Sequence, residues 1–371
     1  MAECKEYKIE EIDRNLKAAT TMGEHRAVFY DVRKPPFDIY GLYHPETEPI
    51  FRRLPADVAE ATSPGVASLA ANTAGGRVRF STDSDFIAIR AVMPDAHRMY
   101  HMAFSGSSGF DLYVDTAAGS YFRGILSPAV DFQGGTFEAL VELPGNGMNS
   151  YTIHFPTYDR VSALYIGVSE RATLKPGARY AYEKPVVYYG SSITQGACSS
   201  RPGLSYESIL SRRLNVDHIN LGFSGSGRGE PAMVEYLASL DPLIFVSDYD
   251  YNAPDPAHLA QTHRALYRAV REKHPLVPYV MITRPNFAGR NDGSPEAAAR
   301  RSVVFENYRE GLEAGDDNLW FIDGESMFCG AYEGDCTVDG THPTDLGFAL
   351  MADRIGDTLR RILWKLATAK E

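Results

Sequence analysis

The hydrophobic pattern changes period near the middle of the chain, and that change calls for two architectures in one polypeptide. Up to about Ser169 the apolar residues alternate on a period of two. In DFIAIRAV, Ile87, Ile89 and Ala91 share one face; in GTFEALVELP, Phe137, Ala139, Val141 and Leu143 do the same. The runs RAVFYDVR, DIYGLY, YTIHF and SALYIGVS are further short strands, set apart by Gly, Pro, Asn and Asp clusters. Many short alternating strands with turn signals between them predict an all-β sandwich or jelly roll. From about Pro185 the runs PVVYYG, LIFVSD and VPYVMIT are almost continuously apolar, with HINLGF and NLWFID as weaker companions. Strands of that kind are buried on both faces of a parallel sheet. Helical stretches lie between them: LSYESILSRRL, DPAHLAQTHRALYRAVREKH and SPEAAARRSVVFENYREGL. Five alternations of strand and helix predict an open, doubly wound three-layer α/β/α domain.

The expected organisation is an N-terminal extension over residues 1–25, a β-sandwich over 26–175, a linker over 176–184 and an α/β domain over 185–371. The linker lies in LKPGARYAYEKP, with two prolines and mixed charge. With 48 acidic and 37 basic side chains the net charge is −11, which argues against a nucleic-acid or anionic-membrane partner, because both need basic patches. No apolar run approaches the roughly 20 residues that span a bilayer. The start, MAECKEYKIEEIDRNLKA, is charged throughout and lacks the apolar core of a signal peptide, so a cytoplasmic protein is expected. Four cysteines, Cys4, Cys198, Cys329 and Cys336, are too few for a disulfide scaffold in a chain of this length. Cys329 and Cys336 are close enough in sequence to pair in an oxidising compartment; in a reducing one they are two thiols near a loop.

Four segments carry candidate chemistry. YGSSITQG (189–196) sits at the carboxyl end of the first apolar strand, where open α/β sheets place their ligands. A serine on such a Gly-flanked turn either presents its hydroxyl above the sheet or merely bonds the backbone. VDGTHP (338–343) spaces Asp339 and His342 three apart, so one turn can join carboxylate to imidazole; a serine nucleophile needs such an oriented base. The plain reading is an Asp turn before a helix with Pro343 at its start. NLGFSGSG (220–227) supplies Gly-rich backbone N–H groups, and DYDYNAP (248–254) places Asn252 past a strand end. Both can donate to a developing oxyanion, or simply shape turns.

Taken together and in this order, the four blocks resemble the SGNH hydrolases, or GDSL-type esterases, marked by Ser, Gly, Asn and His. Ser192 in GSSIT matches the nucleophile, Gly225 the glycine of the second block, Asn252 the asparagine of the third, and Asp339 with His342 the DxxH block. Upstream, GFDLY (109–113) resembles the signature of a β-sandwich domain that precedes one branch of these esterases. There are two departures: Ser191 replaces the aspartate that usually precedes the nucleophile, and the third block reads Asp-Tyr-Asn-Ala instead of Gly-x-Asn-Asp. The resemblance implies a serine esterase acting on small-acyl, above all acetyl, esters of a carbohydrate or other polar substrate. Ser192, Asp339 and His342 would carry catalysis, and Ser192, Gly225 and Asn252 the oxyanion hole. No metal or organic cofactor is expected. Arg284, at the end of the fourth apolar strand, is a candidate substrate contact or a partner of Asp248 or Asp250. The N-terminal domain is expected to complete the site, with Asp111 as an acceptor for sugar hydroxyls and Tyr113 as a stacking ring; both can equally belong to the strand's own structure.

Other readings fit less well. In GFSGSGRGEP, Gly225 and Gly227 are followed by Glu230 where a dinucleotide fingerprint needs its third glycine. His258 and His263 lie five apart, on different faces of a helix, and no His-Glu-x-x-His occurs. An O-acyltransferase shares the first half-reaction and stays open. A carbohydrate-binding protein with an inactive esterase domain is opposed by the intact Ser192, Asp339 and His342.

Overall fold

The computed structural model describes residues 25–145, 147–285, 295–330 and 332–368. Of the expected N-terminal extension only His25 falls among them, and Cys4 lies outside the described residues. The first half contributes β1 (Ala27–Asp31), β2 (Asp38–Tyr40), β3 (Arg77–Thr82), β4 (Phe86–Met93), β5 (Phe110–Thr116), β6 (Gly119–Leu126), β7 (Gly135–Glu142), β8 (Asn149–His154), β9 (Ala163–Ser169) and β10 (Leu174–Pro176). All pair antiparallel, in one sheet of order β1-β9-β4-β7 and a second of order β10-β3-β8-β5-β6, with β2 beside β3. The alternation read from sequence is what closes the core between them. Ile87, Ile89 and Ala91 of β4 meet Phe110, Leu112 and Val114 of β5 and Ile153 of β8 in one apolar cluster. A pleated strand sends alternate residues to opposite faces. Asp111 and Tyr113 therefore leave that core on the other side.

The second half contributes β11 (Val186–Gly190), β12 (His218–Gly222), β13 (Ile244–Asp248), β14 (Tyr279–Ile282) and β15 (Leu319–Ile322). They form a parallel sheet of order β12-β11-β13-β14-β15. This is the doubly wound arrangement whose ligands bind at the carboxyl ends beside the first strand. The helices in chain order are α1 (Ala56–Thr62), α2 (Pro64–Leu69), α3 (Phe104–Ser107), α4 (Ser192–Gln195), α5 (Tyr206–Leu214), α6 (Pro231–Ser239), α7 (Pro256–Lys273), α8 (Pro295–Glu313) and α9 (Asp345–Thr368). One face of the sheet is covered by α5 and α9, whose Phe348, Met351, Ile355 and Leu359 recur at helical spacing. The other is covered by α6, α7 and α8, through Met233, Leu237, Leu259, Leu266 and Val304.

The two halves are interleaved in a way the strand pattern does not foretell. The helices α1 and α2 fall inside the sequence read as sandwich, yet Ala59, Val66 and Ala70 pack into the α/β core beside Val187 and Leu221. Ser63 caps α2 by accepting from Val66 N–H, with Pro64 at its first position. Just upstream, Arg53 is buried and donates to the carbonyls of Leu69, Asn72, Asn220 and Gly222. It thereby covers part of β12, an edge strand. Among the described residues no helix is long and apolar enough to cross a membrane.

Candidate active site

The strand β11 ends in Gly190, where any side chain would collide with Thr194 and with the Asp248 carbonyl. Glycine there lets the chain turn at once into α4. The Ser191 hydroxyl caps that helix by accepting from Ile193 N–H, and Gly196 ends it at a φ of +100°. Ser192 is thus the first residue of a helix, and its N–H has no intrahelical acceptor. The residue is 8% exposed, and its Oγ lies 2.9 Å from His342 Nε2.

His342 arrives on the loop before α9. Its Nδ1 is 2.8 Å from Asp339 Oδ2, while Asp339 Oδ1 accepts from the N–H groups of Thr341 (3.0 Å) and His342 (2.8 Å). Partial burial acts to raise the Asp339 pKa, but the His342 N–H, the imidazole and the Thr341 N–H outweigh it and hold the carboxyl at about 2. A permanently ionised carboxylate fixes the tautomer that leaves Nε2 open to accept the serine proton.

The second and third blocks meet beside α4. The Phe223 N–H donates to the Gly190 carbonyl at 3.0 Å, and Ser224 N–H donates to Gln195 of α4 at 3.0 Å. In the same turn Ser226 and Gly227 N–H groups both donate to Phe223 O, whereas Gly225 N–H finds no acceptor among the described residues. Gly225 has a φ of +65°, the left-handed region that favours glycine. Asn252 closes a short 3-10 turn after β13, and its side-chain amide donates one hydrogen to Phe223 O at 2.8 Å, leaving the other for a ligand. The free N–H of Ser192, that of Gly225 and the Asn252 amide are the donors an oxyanion would need.

Beneath the helix lie the acids that replace the usual third block. Asp248 accepts from Thr194 and Tyr206 hydroxyls, each at 3.3 Å; burial and then the neighbouring Asp250 push its pKa well above the usual carboxylate range. Asp250 is raised to about 6 by burial, against the opposing Arg284 N–H bond and the Arg284 and Arg300 charges. Arg284 donates its backbone N–H to Asp250 Oδ2 at 3.0 Å, and its guanidinium lies 4.9 Å from the Tyr251 ring centre. The link between Arg284 and Asp250 is therefore made by main chain, with the side chain turned onto an aromatic face.

The sandwich reaches the site through residues that no pattern singled out. Tyr158 donates its hydroxyl to the Ser192 carbonyl at 3.3 Å. His101 stands with its ring centre 5.5 Å from that of His342, and the ring of Tyr100, which is 95% exposed, lies tilted against His101 with centres 4.6 Å apart. Neither sits in an alternating run, so only the approach of the loop before α3 could reveal them. His101, Cys198 and His342 also bring ligand atoms within 4.8 Å of one another, as do Asp95, His97 and Asp159. A cation on the first group would compete with the Ser192 hydroxyl for His342. Asp159 already accepts from His97 and Ser108. Cys329 and Cys336 each donate to a nearby carbonyl, of Ser326 and Tyr332 at 3.0 Å.

Asp111 and Tyr113 are placed elsewhere than expected. Asp111 is 0% exposed: its Oδ1 accepts from His154 Nδ1 at 2.8 Å, and its Oδ2 from Arg201 Nη1 and Gly203 N–H, both at 3.0 Å. Burial opposes its ionisation, but His154, Arg201 and Arg212 outweigh that and lower its pKa. Tyr113 is 3% exposed, accepts from Arg201, and lies under the Arg212 guanidinium. Gly203 is needed for this approach, since a Cβ would stand 2.6 Å from Asp111 Oδ2. The DLY strand is therefore a buried clasp between sandwich and α/β domain; its carboxylate is not open to a sugar hydroxyl.

A parallel sheet presenting Ser, Gly, Asn and Asp-x-x-His from four loops, behind an antiparallel sandwich, defines an ester hydrolase of the SGNH type. Residues 183–360 match the GDSL-like lipase/acylhydrolase family and residues 27–174 match the N-terminus of SGNH-hydrolase-type esterases, and the chain belongs to that family. Among solved structures it is similar to a protein of Bacteroides ovatus ATCC 8483 described as a GDSL-like lipase, with 29% identity, a TM-score of 0.82, and coverage of 91% of this chain and 98% of that one. It shares its fold with the salicylyl-acyltransferase SsfX3 of a tetracycline biosynthetic pathway, at 19% identity and a TM-score of 0.70 over 92% of this chain and 98% of that one. The acetyl xylan esterase Est2A of the rumen bacterium Butyrivibrio proteoclasticus has the same fold, at 13% identity and a TM-score of 0.57 over 91% and 98%. No curated protein matches the chain.

Proposed function

We propose that the protein hydrolyses small-acyl, principally acetyl, esters of a carbohydrate or similarly polar substrate through an acyl-enzyme. The observation that carries the chemistry is the continuous link from Ser192 Oγ to His342 Nε2 at 2.9 Å and from His342 Nδ1 to Asp339 at 2.8 Å. Ser192 Oγ attacks the ester carbonyl carbon while His342 takes its proton. Asp339 stabilises the imidazolium, and the carbonyl oxygen gathers negative charge against the N–H groups of Ser192 and Gly225 and the Asn252 amide. Collapse of the tetrahedral adduct breaks the bond to the alcohol oxygen, which leaves with the proton from His342. Water, deprotonated by the same imidazole, then attacks the acyl-serine and releases the acid.

A polar substrate is favoured by what surrounds His342. The exposed ring of Tyr100, in tilted contact with His101, which in turn neighbours His342, offers a flat face to a sugar ring beside the base. The test is a panel of acetylated sugars and short-chain nitrophenyl esters, with a fluorophosphonate probe and the Ser192→Ala variant. Stoichiometric labelling at Ser192 and a loss of several powers of ten in kcat on Ser192→Ala are expected, since nucleophile and base act as a unit. A folded Ser192→Ala enzyme of near wild-type rate would overturn the assignment. Transfer of the acyl group to an added alcohol in preference to water would make the protein an acyltransferase.

A further inference from the structure

A polar cavity of about 570 Å³ opens where the two halves meet, lined by Arg79 of β3, Arg179 and Tyr180 of the segment between β10 and β11, Arg212 and Arg213 of α5, and Asp115 at the end of β5. In a chain of net charge −11, four guanidinium groups here face a single carboxylate. Arg213 is engaged by Asp353 at 2.5 Å, which leaves three. Arg79 is only 4% exposed; its Nη2 donates to Asp115 at 3.2 Å, but its Nε and Nη1 are buried without an acceptor. Arg212 finds no acceptor among the described residues, and its Nη1 is buried as well. Arg179 is exposed at the rim and likewise pairs with none of the described residues.

Buried guanidinium N–H groups without acceptors are costly, and folded proteins rarely tolerate several in one place. These two are also held in position. Arg79 lies 4.3 Å from the Tyr180 ring centre and Arg212 lies 4.0 Å from that of Tyr113. Stacking fixes the planar faces and leaves the N–H edges available, which suits bidentate recognition of a tetrahedral or planar oxyanion. Asp115 balances only one of the three charges, and its oxygens are already occupied by Arg79 and by the Ser120 and Thr152 hydroxyls, the latter two at 2.6 Å.

We propose that this cavity is an anion-binding site, separate from the hydrolytic centre, for a phosphate-type group held by Arg79, Arg212 and Arg179. A ligand there touches the sandwich through Arg79 and the α/β domain through Arg212, and so ties the two halves together. Binding to the folded form alone raises thermal stability as the ligand concentration rises.

The test is calorimetric titration of the full chain with inorganic phosphate and pyrophosphate at low ionic strength, with chloride at matched ionic strength as control. Saturable binding at one site, together with a rising melting temperature, is expected. Arg79→Gln and Arg212→Gln should each weaken affinity by about tenfold or more, the scale for losing one charge-assisted contact. Arg179→Glu, at an exposed position that leaves the fold intact, should weaken it too and provides the comparison if a buried variant fails to fold. Ser192→Ala should bind as the wild type does, which separates this site from the esterase reading. The proposal is overturned by absence of saturable binding up to about 10 mM. It is equally overturned by an affinity that Arg179→Glu and the folded glutamine variants leave unchanged.

Discussion

Removing the Asp111 carboxylate should unclasp the two halves of the protein without touching the reacting atoms. The side chain is wholly buried and accepts from His154, Arg201 and Gly203 at 2.8, 3.0 and 3.0 Å. Asp111→Ala strands the Arg201 guanidinium and the His154 imidazole in a low-dielectric interface, and breaking a buried pair in this way costs about 3–5 kcal/mol. Arg201 has a side chain 17% exposed, so water recovers part of its loss and the lower end, about 3 kcal/mol, is expected. For a cooperative unit of roughly 150–250 residues that lowers the melting temperature by about 6–12 °C. Asp111→Asn should cost less than alanine, because its oxygen can still accept from Arg201 and Gly203 while its NH₂ meets His154 Nδ1 once that ring carries its proton on Nε2. The assay is a thermal melt run beside kinetics on nitrophenyl acetate and on an acetylated oligosaccharide. Activity at a temperature where the variant is folded should change equally for both esters. The double variant Asp111→Ala/Arg201→Ala should be less destabilised than the sum of the single changes. An unaltered melting temperature with a KM raised only for the oligosaccharide would refute the reasoning and return Asp111 to the substrate.

Asn252→Ala should lower kcat by about 2.7–4 kcal/mol of transition-state stabilisation while KM hardly moves, as for loss of one oxyanion donor; a normal kcat would place that donor elsewhere. His101→Ala leaves the Ser192–His342–Asp339 link intact, so kcat on nitrophenyl acetate should persist while KM for a sugar ester rises; equal loss of kcat on both would make His101 part of the chemistry. Asp250 has a folded pKa of about 6 against 3.8 for the free side chain, so the unfolded chain loses its proton first. Stability conferred at low pH is therefore lost as pH rises between about 4 and 6, by roughly 3 kcal/mol for two pKa units. Asp250→Asn should flatten that slope in urea unfolding measured across the range, and an unchanged slope would show that Asp250 does not titrate there.

The groups proposed to react were legible because their grouping is local. Asp339 and His342 sit on one turn, Ser192 follows a strand end, and Gly225 and Asn252 lie just past the next two strands, so strand pattern and motif spacing suffice to place them at one end of the sheet. The same holds for the core, since Ile87, Ile89 and Leu112 need only the period of a pleat to find the inward face. Ser63 caps α2 and Pro64 begins it, but nothing local says that α2 packs on the α/β sheet.

What alternation could not supply is the identity of the opposite surface. It put Asp111 and Tyr113 on the face away from the sandwich core, yet whether that face met solvent, substrate or protein depended on Arg201 and Gly203, about ninety residues further along. His101 beside His342, Tyr158 on the Ser192 carbonyl, and Arg79 and Arg212 around one cavity are meetings of the same kind. The period of a strand or helix is set by backbone geometry within a few residues, and the sequence by itself determines it. Contacts between segments far apart in the chain arise only when two finished surfaces pack, and those the tertiary structure alone decided.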